Sequence, residues 1–152
     1  MLNATNVKDK VVLVTGATGG IGRQICITLA KHQAIPIIHY NSNIERADAI
    51  LNEISDLGIT SMKVKADIRK EDEVKKLIKT IREAYGRIDA LVNNAGIMPL
   101  SLLNAGRTDE WDEMIDINIK GVLYGIDAVL QHMLDKDDGI IINISSVAGL
   151  RT

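Results

Sequence analysis

A single cysteine, Cys26, occurs among 152 residues, which excludes an internal disulfide and any cysteine-cluster metal site and fits a reducing compartment. A lone thiol of this kind is read as a buried spectator before it is read as a nucleophile. Charge of one sign is also lacking: 18 basic and 20 acidic residues are spread along the chain, leaving no basic patch for nucleic acid and no charged face for a membrane surface. No stretch approaches the roughly 18 uninterrupted apolar residues of a membrane span. The N-terminal "MLNATNVKDK" has no apolar core of a secretion signal. Low-complexity linkers and internal repeats are missing too. These absences leave small-molecule chemistry in the cytoplasm as the expectation. They also leave one domain, since a chain of this length buries roughly two-thirds of its unfolded surface.

What is present is an alternation. Five short β-branched runs, "VVLVT", "IPIIHY", "SMKVKAD", "IDALVN" and "GIIINIS", lie between Lys10 and Ser146, and each of the first four leads into a helical pattern. Ile21, Ile25 and Leu29 share one helical face; so do Ile44, Ala47, Leu51 and Ile54; so do Val74, Leu77, Ile78, Ile81 and Tyr85. Trp111 to Leu134 gives a longer fourth helix, with Gly121 and Gly125 as its expected bend. Ser42 and Glu45 have capping-box spacing, and Thr108 precedes two acids at the positive end of the fourth helix. Strands this continuously apolar are parallel and covered on both faces, so the fold class is α/β with a doubly wound open sheet. Two residues fit poorly. Gln33 stands where the first helix should end on a left-handed glycine, and Pro36 is tolerable only at the start of the second strand.

The first strand runs into "VTGATGGIGRQI", a glycine-rich turn that opens a helix. Gly16 permits the tight turn, Gly20 lets a ligand approach the backbone, and Gly22 lets the helix pack on the sheet. The helix N-terminus then offers free N–H groups to a diphosphate. A phosphate-transfer loop is excluded because the Lys-Ser/Thr pair that ends such loops is absent, position 23 being Arg23. "NNAG" at 93 to 96 reads as a turn by composition, but it follows a central strand at its carboxyl end, where open α/β sheets bind ligands.

The order "TGATGGIG" (15 to 22), "AD" (66 to 67), "NNAG", Asn118 in "DINIKG" and "ISS" (144 to 146) resembles the N-terminal part of the short-chain dehydrogenase/reductase family. It is most similar to the subgroup of NADP-dependent 3-oxoacyl carrier-protein reductases and related alcohol and hydroxy-acid dehydrogenases. The resemblance implies an NAD(P)-binding Rossmann fold over residues 1–152, incomplete at its C-terminal side relative to the family and short of its last strands and helices. It further implies that Gly16, Thr18, Gly19, Gly20, Ile21 and Gly22 cradle the diphosphate. Asp67 and Ile68 would contact adenine, and Asn94, Ala95 and Gly96 would line the ribose and nicotinamide. Met98, Pro99 and Leu100 would form one wall of the substrate pocket.

An acidic residue at the end of the second strand would hold the 2′-hydroxyl of NAD and repel a 2′-phosphate. Here the stretch is "HYNSN", in which Tyr40, Asn41 and Ser42 can donate to a phosphate. NADP(H) is favoured over NAD(H), although Gly19 stands where the family has a basic contact. His39 is read either as a partial positive charge near that phosphate or as an ordinary strand residue; His32 and His132 have no partners at metal-ligand spacing.

In the resembling family a serine orients the carbonyl, an asparagine holds a water of the proton relay, and a Tyr-x-x-x-Lys pair moves the proton. Ser146 and Asn118 match the first two. The residues four places after Tyr40, Tyr85 and Tyr124 are Ile44, Asp89 and Ala128, so none of these tyrosines matches the family's acid. The expectation is a hydride-transferring oxidoreductase acting on a small carbonyl or alcohol, homo-oligomeric in full-length form. These 152 residues would bind cofactor with little turnover. The alternative is a naturally short NADP(H)-binding or partner-binding module. Under either reading the fifth strand is left at a sheet edge.

Overall fold

The computed structural model describes residues 7–100 and 102–147; the first six residues and "AGLRT" at the end lie outside them. Strands β1 (Val11–Val14), β2 (Ile35–Tyr40), β3 (Met62–Lys65), β4 (Ala90–Asn93) and β5 (Ile140–Asn143) alternate with helices α1 (Gly20–Lys31), α2 (Ile44–Asp56), α3 (Glu71–Tyr85), α4 (Thr108–Ile115) and α5 (Gly121–Lys136). All strand pairings are parallel, in the order β3-β2-β1-β4-β5. The helices cover both faces. Side chains alternate along each strand, so Val12, Val14, Ile38 and Tyr40 pack under α1 and α2, while Val11, Leu13 and Ile37 pack against α3 and α5. This is a Rossmann-like doubly wound sheet, and its winding reverses between β1 and β4.

Pro36 is accommodated as expected. Ile35 N donates to Lys10 O, so the next amide position faces β3, whose ladder with β2 begins only at Ile37. Gln33 supplies the left-handed residue itself, at φ +64°, in a Schellman turn closed by Gln33 N on Ala30 O and Ala34 N on Leu29 O.

Three expectations are corrected. The inward stripe of α1 is Gly22, Cys26, Ile27 and Ala30, not Ile21, Ile25 and Leu29. A Cβ on Gly22 would stand 2.6 Å from Gly16 O and 2.8 Å from Ala17 Cα. The helix therefore presents its small residues where it touches the turn, with Ile25 and Leu29 flanking. Cys26 is fully buried and its thiol is pushed up to about 12 by burial, a spectator at neutral pH. The cap of α2 is Asn43, one residue past Ser42, whose side chain accepts from Arg46 N at 2.9 Å. The irregularity between α4 and α5 is a wide π-helical turn over Asp116–Lys120. Gly121 and Gly125 instead allow close packing: added Cβ atoms would meet Ile68 Cδ1 at 2.8 Å and Asn93 Oδ1 at 2.9 Å.

Candidate functional site

The reversal between β1 and β4 opens a cleft of about 420 Å³ at the carboxyl ends of the strands, the place where open α/β sheets bind ligands. Gly16, Thr18, Gly19, Gly20, Ile21 and Gly22 line it on one side. Asn41, Ser42, Asp67 and Ile68 follow at one end, and Asn94, Ala95 and Gly96 on the far side. Three expected residues are not brought to the lining. Tyr40 shares the face of Ile38 and is buried under α1 and α2, so strand alternation turns its ring away from the cleft. Asn118 sits behind Gly96, and Ser146 is exposed beyond the end of β5. Met98 and Leu100 are also exposed.

The glycine turn is built tightly. Gly16 takes φ +62°, and a Cβ there would come within 2.7 Å of Ala95 Cα. Thr15, just before it, holds the two loops together. Its Oγ1 accepts from Asn94 N at 3.0 Å and Ala95 N at 3.1 Å, while Asn94 Nδ2 donates to Thr15 O at 2.9 Å. Gly20 is the opposite case: no protein atom lies within 4 Å of a Cβ placed on it, so that position faces open space.

The first turn of α1 has neither a side-chain cap nor an acid, whereas α2, α3 and α4 each carry at least one acid in theirs. Its first intrahelical acceptor is Gly19 O, taken by Arg23 N at 2.9 Å. The amides before Arg23 therefore keep the donor capacity of a helix start, next to unneutralised positive potential. A diphosphate fits this end of the cleft.

His39 is a neutral strut. Its Nδ1 accepts from Gly16 N at 3.0 Å, which places the proton on Nε2, 3.0 Å from Ala66 O. Burial lowers its pKa, with Ala66 O and Asp67 pulling the other way, and both ring nitrogens are engaged, so of its two readings the strand residue held by its neighbours is the one the structure supports. His132 is likewise structural, accepting from Ile88 N at 3.4 Å.

The end of β3 is fixed by charge. The Arg69 guanidinium beside Asp67, with Nε on Oδ1 at 2.9 Å and Nη2 on Oδ2 at 2.8 Å, holds that carboxyl below the usual carboxylate range despite its burial. Arg69 Nη1 also reaches Glu113 of α4 at 3.2 Å. Oδ1 also accepts from Arg69 N at 3.1 Å, so the capacity left for a ligand donor is on Oδ2.

Asn118, in the π-helical turn, grips one residue of the opposite loop. Oδ1 accepts from Ile97 N at 2.9 Å and Nδ2 donates to Ile97 O at 2.8 Å. Wide turns of this kind recur where a helix must aim a side chain. Thr15, Arg69, Ile97 and Ile117 belong to the site or its frame without being expected there from the sequence. Only Thr15 carried a signal, its place directly before Gly16.

The sequence model of short chain dehydrogenases matches residues 10–152. The chain is similar to an uncharacterized oxidoreductase of Staphylococcus saprophyticus, 46% identical over 145 residues that make up 95% of this chain and 57% of that protein. It is similar to an uncharacterized oxidoreductase of Listeria monocytogenes at 43% identity over 145 residues, 95% and 58% of the two chains. A 3-oxoacyl-acyl-carrier-protein reductase of Staphylococcus epidermidis is 41% identical over 141 residues, 93% and 58% of the two chains. The chain thus spans somewhat over half the length of the curated relatives it matches. Among the described residues no helix is long and apolar enough to cross a membrane, and no cluster of three metal-ligating side chains occurs.

Proposed function

We propose a function from one premise: the chain belongs to the short chain dehydrogenase family, whose members are oxidoreductases. Residues 1–152 act as one dinucleotide-binding domain that takes NADP(H) in preference to NAD(H). The substrate is a small carbonyl or secondary alcohol, of the 3-oxoacyl thioester or hydroxy-acid class, a reading supported by the name of the Staphylococcus epidermidis relative. The observation that carries the proposal is the cleft at the reversal of the sheet, walled by an acid-free helix start and by a glycine with open space at its Cβ position.

Each group then has a task. Amides of Gly20, Ile21 and Gly22 bind the diphosphate, while Gly16, Thr18 and Gly19 shape the turn around it. Asp67 and Ile68 hold the adenine; Asn41 and Ser42 face the 2′-phosphate; Asn94, Ala95 and Gly96 line the ribose and nicotinamide side. The nicotinamide, when bound, supplies or accepts hydride at the carbonyl carbon. The Ser146 hydroxyl orients that carbonyl by donating to its oxygen. Asn118 holds the Ile97 loop in place and keeps a second Oδ1 lone pair for a water of the proton relay. No tyrosine in these residues has a lysine four places on, and a missing general acid forfeits roughly 10²- to 10⁴-fold in rate. These residues therefore bind cofactor with little turnover.

Titrating NADPH fluorescence with the purified chain tests the reading. Saturable binding without carbonyl reduction is the expected result; no binding at millimolar ligand would sink it. A second reading, a partner-binding module, is favoured by the exposed Ile140, Ile142 and Ile144 of the β5 segment. The codons following Thr152 separate the two, since an in-frame Tyr-x-x-x-Lys supports the enzyme and its absence supports the module.

A further inference from the structure

Gly19, Asn41 and Ser42, the residues expected nearest a 2′-phosphate, carry no charge. A cation does stand beside Gly19. Arg46, in the first turn of α2, reaches back to the glycine turn, where Nη1 donates to Thr18 O at 3.4 Å. It borders a shallow hollow with Thr18, Gly19, Gly20 and Arg23, and the first three of these also line the main cleft. The guanidinium thus lies on the Thr18 to Gly20 edge of the main cleft.

Its electrostatic situation differs from that of its neighbour. Arg23 is paired with Glu53, whereas Arg46 makes no ion pair among the described residues. Glu45 is adjacent in sequence, but successive helical residues project about 100° apart, and Arg46 is the one that reaches Thr18. A single long hydrogen bond to a carbonyl leaves most of the five guanidinium donors for another acceptor. A planar guanidinium with free donors, in the turn that opens a helix, matches a phosphate dianion in both charge and geometry.

Resting on the NADP(H) reading above, we infer that Arg46 is the specificity-determining residue of this cleft: it binds the 2′-phosphate and so separates NADP(H) from NAD(H). Arg46 supplies from α2 the charge that the glycine turn lacks. Its contact with the cofactor exists only where the 2′-phosphate is present, so its removal acts mainly on one nucleotide, the long bond to Thr18 O adding a small effect common to both.

The test is a fluorescence titration of the 152-residue chain and its Arg46→Gln, Arg46→Lys and Arg46→Glu variants with NADPH and with NADH, each at low and high salt. Arg46→Gln is expected to weaken NADPH roughly ten- to a hundred-fold, the loss of a charged hydrogen bond, and to shift NADH by less than about two-fold. Arg46→Lys restores part of the loss, Arg46→Glu deepens it, and the wild-type preference shrinks as salt rises. Equal weakening of both nucleotides, or an unchanged NADPH affinity in Arg46→Gln, overturns the inference. So does a wild-type chain that binds NADH as tightly as NADPH, although the dinucleotide reading then stands. Binding of neither nucleotide by the wild-type chain removes the reading itself and the inference with it. Arg46 is exposed, and unchanged far-ultraviolet circular dichroism of the variants assigns the loss to the contact.

Discussion

Ile37 and Ile38 of β2 are completely buried, whereas Ile140 and Ile142 of β5 are 59% and 46% exposed, although both strands are runs of the same β-branched residue. Hydropathy does not distinguish them; their neighbours do. β2 lies between β1 and β3, with α1 and α2 on one face and α3 on the other. Among the described residues β5 pairs with β4 alone, and of its isoleucines Ile141 is the one packed against the core, on the α5 side. The cofactor half of the molecule is thus a finished two-faced sandwich, and the β5 half is covered on one face among the described residues. The candidate site straddles this divide. Its diphosphate and adenine walls rest on the finished half, while Asn118 and Ser146 belong to the other.

Gly22 is where the contrast breaks most severely. A side chain there would strike Gly16 O, Asn94 Nδ2 and Ala17 Cα together, two of them backbone atoms that cannot turn aside. Gly22→Val is expected to cost about 3 kcal/mol or more and to abolish nucleotide binding, read by urea denaturation and by NADPH titration. Wild-type binding in this variant would mean that α1 does not approach the turn as described.

Next in size is the core of the buried strand. Ile38→Ala removes a side chain with no exposure, and large-to-small changes of this type cost about 2–5 kcal/mol. A urea midpoint unchanged within error would show that β2 is not between two closed layers.

Much of this arrangement was legible in the residues. The βα alternation, the parallel doubly wound sheet, the glycine turn and the turn at Asn94 to Gly96 follow from periodicity and from residues whose backbone needs are unusual. The illegible parts share one cause, that they depend on what lies across the gap. Gly22, Cys26 and Ala30 look like a weak helical stripe until the turn they touch is in place, while Ile21, Ile25 and Leu29 look like a strong one. Tyr40 offers a hydroxyl donor by residue type, and strand alternation buries its ring. Arg46 and Arg69 looked like ordinary surface charges, and only the fold brings one to Thr18 and the other to Asp67 and Glu113. The wide turn at Asn118 had no signal, because nothing in "DINIK" alone opposes a regular helix.

A smaller effect comes from pH. Burial holds the His39 imidazole neutral below its usual 6.5. Between the lowered folded value and the unfolded one, the unfolded chain binds a proton that the folded chain does not, so stability falls as pH falls below about 6.5 and is level in this respect above it. The slope is bounded by about 1.4 kcal/mol per pH unit. The charged groups facing the ring are Asp67 and, through it, Arg69; Asp67 favours the cation and moderates the slope. His132, shifted the same way by burial and then by Arg82 and Lys136, adds a second contribution. Urea midpoints at pH 7.5, 6.5 and 5.5 should therefore decline below 6.5, and less steeply in His39→Gln. Because Nδ1 accepts from Gly16 N, protonation would also weaken NADPH binding over the same range. Equal slopes in the two proteins would refute the neutral strut.

The smallest expected effect falls on β5 and sharpens the comparison from its other side. Ile142 is 46% exposed on the uncovered face, while its backbone pairs with Val92. Threonine keeps the β-branch that the pleat favours and replaces the partly water-facing ethyl arm with a hydroxyl that water can satisfy. Ile142→Thr should therefore change the unfolding free energy from urea denaturation by no more than about 0.5 kcal/mol, where Ile38→Ala changes it several times further. An apolar edge is nevertheless a template for association, so the same substitution should reduce light scattering at high protein concentration. A large stability loss in Ile142→Thr would mean that this face is covered in solution, and would shift the divide between the two halves outward past β5.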